Sequence, residues 1–392
     1  MKNIGIKLRE AYSGGVEKGN LYLREAVDKK YIDPSRLSFR GLAEGMLGDS
    51  YEAALRKAIY GSMNVREQSV VDSSAFFAVT GQILIGRVRQ KYELTSQIGK
   101  SIFPVIPIVD NNLQASREQI VSRVSQLPGT VEQGMTYPQQ AFGQLYIDYP
   151  APQKFGYQCN VTMELVLADK TKQIYDMADS VGEMTGWEEE RRKMRVFLGI
   201  VNPFSQNGTA ANTYRSSGAW VNLLNDFTLV DYKSVNRLEQ VLRNQTDPQT
   251  GLPLNGMVQD MFVMPIKRYD AKRILNATDI RINGTAAGDL TVSGNPLDGN
   301  IKMTNTSQFV QALAVSEGSY TSAKADTITI AGRFDRAFGW REVYPVRVEQ
   351  LPPNSERNFD KDIMYAVKAG GFGVAVVQEP REVTLAFNNS AS

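Results

Sequence analysis

Histidine is absent from all 392 residues, and cysteine occurs once, at Cys159. The chain therefore lacks the side chain that titrates nearest neutral pH and most often serves as general base or zinc ligand. Ser–His and Cys–His nucleophiles and His-coordinated zinc are excluded, which leaves carboxylate, lysine or tyrosine chemistry. A lone cysteine rules out an intramolecular disulfide, and its place on an apolar strand face predicts a buried thiol. No apolar run approaches the roughly 18–20 residues that span a bilayer. Met1-Lys2-Asn3-Ile4-Gly5 opens no signal-peptide core, so residence in the cytoplasm and no membrane partner are expected. An excess of charge is also missing. With 44 basic and 42 acidic residues the formal net charge is +2, too little to draw in nucleic acid over a distance, so any DNA contact is expected to be local and weak.

What is present is ordinary globular material, 42% apolar and 22% charged, in a chain long enough for two or three compact units. Met1 to about Asn64 mixes short amphipathic pieces with breakers such as Gly14-Gly15 and Asp33-Pro34, and reads as an arm. A helix is predicted from an Asp72 cap to about Tyr92, then an edge strand or extended segment over 102–109, where Pro104 and Pro107 deny ladder donors. The clearest pattern follows the Pro150-Ala151-Pro152 turn. Phe155, Tyr157, Cys159, Val161, Met163, Leu165 and Leu167 alternate with mostly polar neighbours, predicting a long half-buried strand. Gln144–Tyr149 has the composition to pair with it as the other arm of a projecting hairpin.

Asp169 is expected to cap a rod-like helix from Lys170 to about Val201 whose inward stripe includes Ile174, Val181, Met184, Trp187 and Leu198. Its cluster Glu188-Glu189-Glu190-Arg191-Arg192-Lys193 reads as a solvated face. Farther on come a helix over Ser234–Arg243, a buried strand Met261–Pro265 leading into a helix over Tyr269–Leu275, a loop-rich hairpin region around Asn283-Gly284, and a strand at Asp326–Ile330. Strands at Glu342–Val348, Ile363–Val367 and Val374–Leu385 close the chain, the last interrupted by Pro380. Gly370-Gly371-Phe372-Gly373 reads as a turn and lacks phosphate-loop spacing.

This order resembles the major capsid protein of tailed bacteriophages, the Hong Kong phage fold shared with encapsulins. Three blocks carry the resemblance: Lys154-Phe155-Gly156-Tyr157 through Val161-Thr162-Met163-Glu164 to Asp169-Lys170-Thr171, Met261–Pro265 with its helix, and Phe359–Met364 to Glu379–Val383. The resemblance implies an α+β chain divided into an N-terminal arm (1–70), the first part of a peripheral P domain (71–125) and an E-loop hairpin (126–168). A spine helix (169–201), a P-domain connection (202–233), an axial A domain (234–341) and the A-domain exit with closing P-domain strands (342–392) would complete it. It further implies a non-enzymatic subunit without catalytic residues, cofactor or metal. Such a subunit forms homo-oligomeric pentamers and hexamers of an icosahedral shell around double-stranded DNA, assembled in the host bacterial cytoplasm and resident in the virion. Separate scaffold, portal and decoration proteins are partners of such shells.

Tyr146, Tyr149, Lys154, Phe155 and Tyr157 are the candidates for contact between subunits. Some relatives link an E-loop lysine to a neighbouring asparagine; Lys154, Asn388 or Asn389 and Glu379 are present, but no motif ties them together, and a solvated lysine is expected. Basic arm residues Arg36, Arg40, Arg56 and Lys57 are matched by nearby Glu44, Asp49 and Glu52. Two alternatives stand beside the capsid: an encapsulin-like compartment shell, and a carboxylate enzyme such as a glycosidase, for which no carboxylate pair lies in a recognisable frame.

Overall fold

The computed structural model describes residues 38–47, 67–95, 98–108, 116–119, 130–137, 146–350 and 363–390, without 169, 204, 207, 219, 248–250, 255, 284–289, 296, 298, 299, 305 and 319. Residues 7, 8, 10, 11, 18, 19, 21, 22, 25 and 26 are described as well. In chain order the helices are α1 (Phe39–Leu47), α2 (Glu67–Thr95), α3 (Ile98–Ile102), α4 (Met163–Leu167), α5 (Thr171–Phe197), α6 (Tyr232–Arg243), α7 (Arg268–Leu275), α8 (Gln308–Ser316), α9 (Ser322–Thr327) and α10 (Phe334–Ala337). The strands are β1 (Val105–Pro107), β2 (Ser116–Gln119), β3 (Tyr146–Tyr149), β4 (Gln153–Thr162), β5 (Ser205–Gln206), β6 (Thr209–Ala210), β7 (Leu223–Leu224) and β8 (Asp260–Val263). They continue with β9 (Asp279–Asn283), β10 (Leu290–Gly294), β11 (Lys302–Met303), β12 (Thr329–Gly332), β13 (Phe338–Gln350), β14 (Ile363–Val377) and β15 (Val383–Ala386). The chain divides into two units, and it passes between them inside α5, after Glu189, and inside β13 and β14.

The first unit (1–96, 154–189, 345–371) is organised by α2 and the first part of α5. The two helices approach closely because Gly182 and Gly186 lie on the contact. A Cβ on Gly182 would stand 2.3 Å from the Val88 carbonyl oxygen, and one on Gly186 would stand 2.9 Å from Thr95. Arg87 on α2 makes a two-pronged pair with Asp179 on α5 (3.0 and 2.7 Å) and lies over the Tyr175 ring. Phe39, Leu42, Ala43 and Met46 of α1, together with Leu8 and Ala26, enter the same core as Val79, Ile83, Val88, Cys159, Val161, Ile174 and Val181. These N-terminal residues are thus part of a core, where an arm was expected; their apolar spacing fills the side of the helix pair. Arg36, Arg56 and Lys57, and the side chain of Arg40, lie outside the description.

The second unit (97–153, 190–344, 372–392) contains a five-stranded sheet in the order β11-β8-β12-β15-β7. Register separates its two faces. Ile330 is opposite Phe262 on one side and Leu385 on the other, and all three are buried. Phe197, from the end of α5, meets Phe262, Phe334 and Phe338 edge-on at 5.2–5.3 Å. The alternate residues Met261, Val263, Ala331 and Ala386 share the opposite core with Val235, Leu238 and Leu242 of α6 and Ala271, Ile274 and Leu275 of α7. Asp231 caps α6 by accepting the Ser234 amide hydrogen, and Ser307 caps α8. β1 runs parallel to β13 from an edge position, as Pro107 within it and Pro104 just before it favour.

Several expectations are corrected. β3 does not pair with β4: it lies between β2 and β5, whereas β4 is bonded to β14. Pro150 and Pro152 remove two ladder donors at the point where a tight turn would have to form. β4 stops at Thr162, and Met163–Leu167 is helical. α5 ends at Phe197, four residues early, where Gly199 adopts φ +69°. Asp169, its expected cap, lies outside the description. β14 runs unbroken through Gly370–Gly373, so the expected turn is strand. α9 occupies 322–327, and the strand expected from Asp326 begins at Thr329.

Candidate assembly surface

The first half of β4 is shaped by what its glycines leave out. A Cβ on Gly156 would lie 2.2 Å from the Ala369 carbonyl oxygen, and one on Gly370 would lie 2.7 Å from the Phe155 carbonyl oxygen, so the two backbones meet at distances only glycine allows. Gly371 clears room for the Phe155 ring. Alternation places Phe155, Tyr157, Cys159 and Val161 on one face of the strand. Cys159 and Val161 are buried in the core, Phe155 is half-buried, and Tyr157 remains 50% exposed. Burial pushes the Cys159 thiol above its ordinary pKa, which disfavours the nucleophilic thiolate.

The other contact candidates lie elsewhere. Lys154 is exposed at the start of β4. Tyr149 is only 3% exposed, with the Arg341 guanidinium 5.3 Å from its ring centre, so it is a core residue of its own unit and not a surface contact. Tyr146 belongs to β3, and its side chain lies outside the description. Glu379 is taken up by a buried two-pronged pair with Arg381 (2.7 and 3.0 Å).

Of the α5 stripe, Ile174, Val181 and Leu198 are buried and Trp187 is half-buried. Met184 is 51% exposed, a correction: Thr185 and Gly186 are buried beside it, so the inward face runs along small residues there. The charge cluster is corrected more strongly. Glu189, Glu190 and Lys193 are buried. Glu189 accepts from the Tyr92 hydroxyl, both Glu190 oxygens accept from the Gly99 amide (2.9 and 3.0 Å), and Lys193 sits 4.7 Å from the Trp340 ring centre. Arg191 and Arg195 grip Glu317. Only partners distant in sequence reveal this burial.

Exposed apolar side chains that were not anticipated include Met135 and Tyr137, between β2 and β3, Ile266, just before α7, and Tyr269, in its first turn. The last two fall outside the Ala271, Ile274, Leu275 stripe, which is the signal that could have found them.

Among the described residues, two carboxyls have raised pKa values. Burial raises Asp260 against the pull of Lys302, and burial raises Glu382 against Arg333 and Arg336. Among the described residues no group of three or more acidic or sulfur side chains is arranged to hold a metal, and no helix is long and apolar enough to cross a membrane.

Comparison with known proteins gives one sequence family, described as phage capsid protein, which matches residues 148–386. No curated protein sequence matches the chain. Similar solved structures include the virus-like particle from Pyrococcus furiosus, 12% identical over 78% of this chain and 99% of that one, with a TM-score of 0.40. A chain of Mycobacterium phage Cain is 11% identical over 76% and 92%, with a TM-score of 0.45. The head of Helicobacter pylori bacteriophage KHP40 is 10% identical over 75% and 91%, also with a TM-score of 0.45. Since the family match covers over half of the residues, from within β3 to the end of β15, the chain belongs to the phage capsid protein family and is a major capsid protein of the α+β phage-capsid fold.

Proposed function

We propose that the chain assembles as pentamers and hexamers into an icosahedral shell around double-stranded DNA in the host bacterial cytoplasm, acting by geometry and not by catalysis. In this reading Lys154, Phe155 and Tyr157 lie against a neighbouring subunit, as part of an E-loop within residues 126–168. The observation that carries it is Tyr157. It shares a face with buried Cys159 and Val161, on a strand held by glycine-only contacts, and yet it is half open to solvent. An aromatic presented on a rigid edge gains most by being covered. A near-neutral net charge of +2 also suits the crowding of many copies. Scaffold, portal and decoration proteins are further partners in this reading.

The test is Lys154→Ser/Tyr157→Ser in the full chain, both positions being exposed, examined by negative-stain electron microscopy. The expected result is loss of shells, tubes and rings, with circular dichroism and subunit stability retained. Shells formed as readily as by the unaltered chain would reject the contact. Nucleic-acid absorbance in native particles separates a DNA-filled capsid from a compartment loaded with protein.

A further inference from the structure

We infer that the outward face of α6 and α7 is a contact surface for the phosphate backbone of double-stranded nucleic acid. The two helices bury their apolar stripes in one core on one side of the five-stranded sheet, so their remaining surfaces belong to a single layer. Between Asp231 and Asn244 and between Pro265 and Asn276 there are seven basic and three acidic residues, an excess larger than the +2 of the entire chain.

The three acids are already engaged. Asp231 accepts from Ser234, Glu239 pairs with Arg243, and Asp270 pairs with Lys267. Lys233, Arg237, Arg268 and Lys272 are exposed and have no carboxylate partner among the described residues. Beside them Tyr269 is 78% exposed, with its ring and hydroxyl turned away from the core.

Helix stability does not account for this arrangement. Lys233 and Arg237, like Arg268 and Lys272, are cations four residues apart on one helix, a spacing that costs a few tenths of a kcal/mol per pair. Lys267 and Arg268 stand at the start of α7, where the helix dipole disfavours positive charge. Lys272 and Arg273 in the last turn of α7, and Arg243 in that of α6, have a local reason to be basic; Lys233, Arg237 and Arg268 do not. A row of cations displacing counterions from phosphates, with a tyrosine hydroxyl as an added donor, is the arrangement that a sequence-independent polyanion contact needs. Such contacts are individually weak, which suits DNA that must move while it is packed. The inference rests on the shell reading for the presence of the nucleic acid.

The test is fluorescence anisotropy of a labelled 20-base-pair duplex with the purified full chain across a salt series. The quadruple variant Lys233→Gln/Arg237→Gln/Arg268→Gln/Lys272→Gln is compared with a control of equal charge, Arg89→Gln/Lys170→Gln/Lys172→Gln/Lys302→Gln. Expected are at least about tenfold weaker binding and a log–log salt slope shallower by about 2–4 for the first variant, with less than about threefold change for the control. Tyr269→Ala should weaken binding a few-fold and leave the slope unchanged. Should circular dichroism show the quadruple variant to be misfolded, Arg268→Ala/Lys272→Ala carries the same comparison at half the slope change. Equal loss in the control, no binding by the unaltered chain at low salt, or binding of poly-glutamate as tight as the duplex would each overturn the inference. So would a variant that keeps duplex affinity but no longer forms shells, since the face would then be a subunit contact. Failure of the shell reading shows separately, as an unaltered chain that forms no particles.

Discussion

At the scale of single residues, most of the information lies in side chains that are missing or out of place. Gly182 and Gly86 make the contrast. A Cβ at Gly182 collides with the Val88 carbonyl, whereas one at Gly86 meets nothing within 4 Å. Gly182→Ala is expected to cost about 1–3 kcal/mol through forced separation of α2 and α5, and Gly86→Ala to gain up to about 1 kcal/mol from helix propensity. Urea denaturation of the two variants should move the midpoint in opposite directions. Asp260 makes a pH prediction. Burial holds its folded-state pKa above the ordinary 3.8, so the folded chain keeps this proton at pH values where the unfolded chain has lost it. Its contribution favours the folded state in acid and fades as pH rises from about 3.8 through the raised value. Asp260→Asn keeps an oxygen for the Phe334 amide and should flatten that decline; parallel stability curves for mutant and parent from pH 4 to 7 would contradict the assignment. Glycine counts and acid–base spacing were visible in the sequence, but what each residue faces was not: Glu189, Glu190 and Lys193 look like a solvated helix surface until Tyr92, Gly99 and Trp340 are placed against them.

At the scale of elements, periodicity served well where the partner is local and poorly where it is distant. The face of β4, the α6 and α7 helices, the edge position of β1 and the break at Pro380 all follow from spacing, capping and proline chemistry. The pairing of β3 and β4 did not, because a strand's composition is compatible with many partners and the choice is made by long-range fit. β14 shows the same limit. Its four residues Gly370–Gly373 look like a turn, yet they lie opposite Phe155 and Trp340, which use the space. Gly156→Val should therefore unzip β4 from β14 and not merely strain one turn. The expected result is a loss above about 3 kcal/mol, or insoluble chain, with amide exchange accelerated along Gln153–Thr162. Wild-type protection across that strand would refute the crossing.

At the scale of the whole molecule, the absence of imidazole and a net charge of only +2 narrowed the class, and the order of elements resembled a phage capsid, a family to which the chain belongs. Which side chains reach the surface was less legible, since Tyr149 proved to be a core residue and Met135, Tyr137, Ile266 and Tyr269 proved open. Interactions made only by folded, assembled chains add to stability. Particles of the unaltered chain are accordingly expected to melt several degrees above the unassembled Lys154→Ser/Tyr157→Ser subunit, and the gap should close when the particles are dissociated.

The solitary thiol has one more consequence. Cys159 is sealed in the core on the face that β4 shares with Tyr157, and no second thiol competes with it. A thiol-reactive dye added to intact protein has a single possible target, reachable only while that strand is open. The rate of labelling is thus a clock for local breathing of β4, and the unaltered chain carries its own sensor of how often the strand lets go.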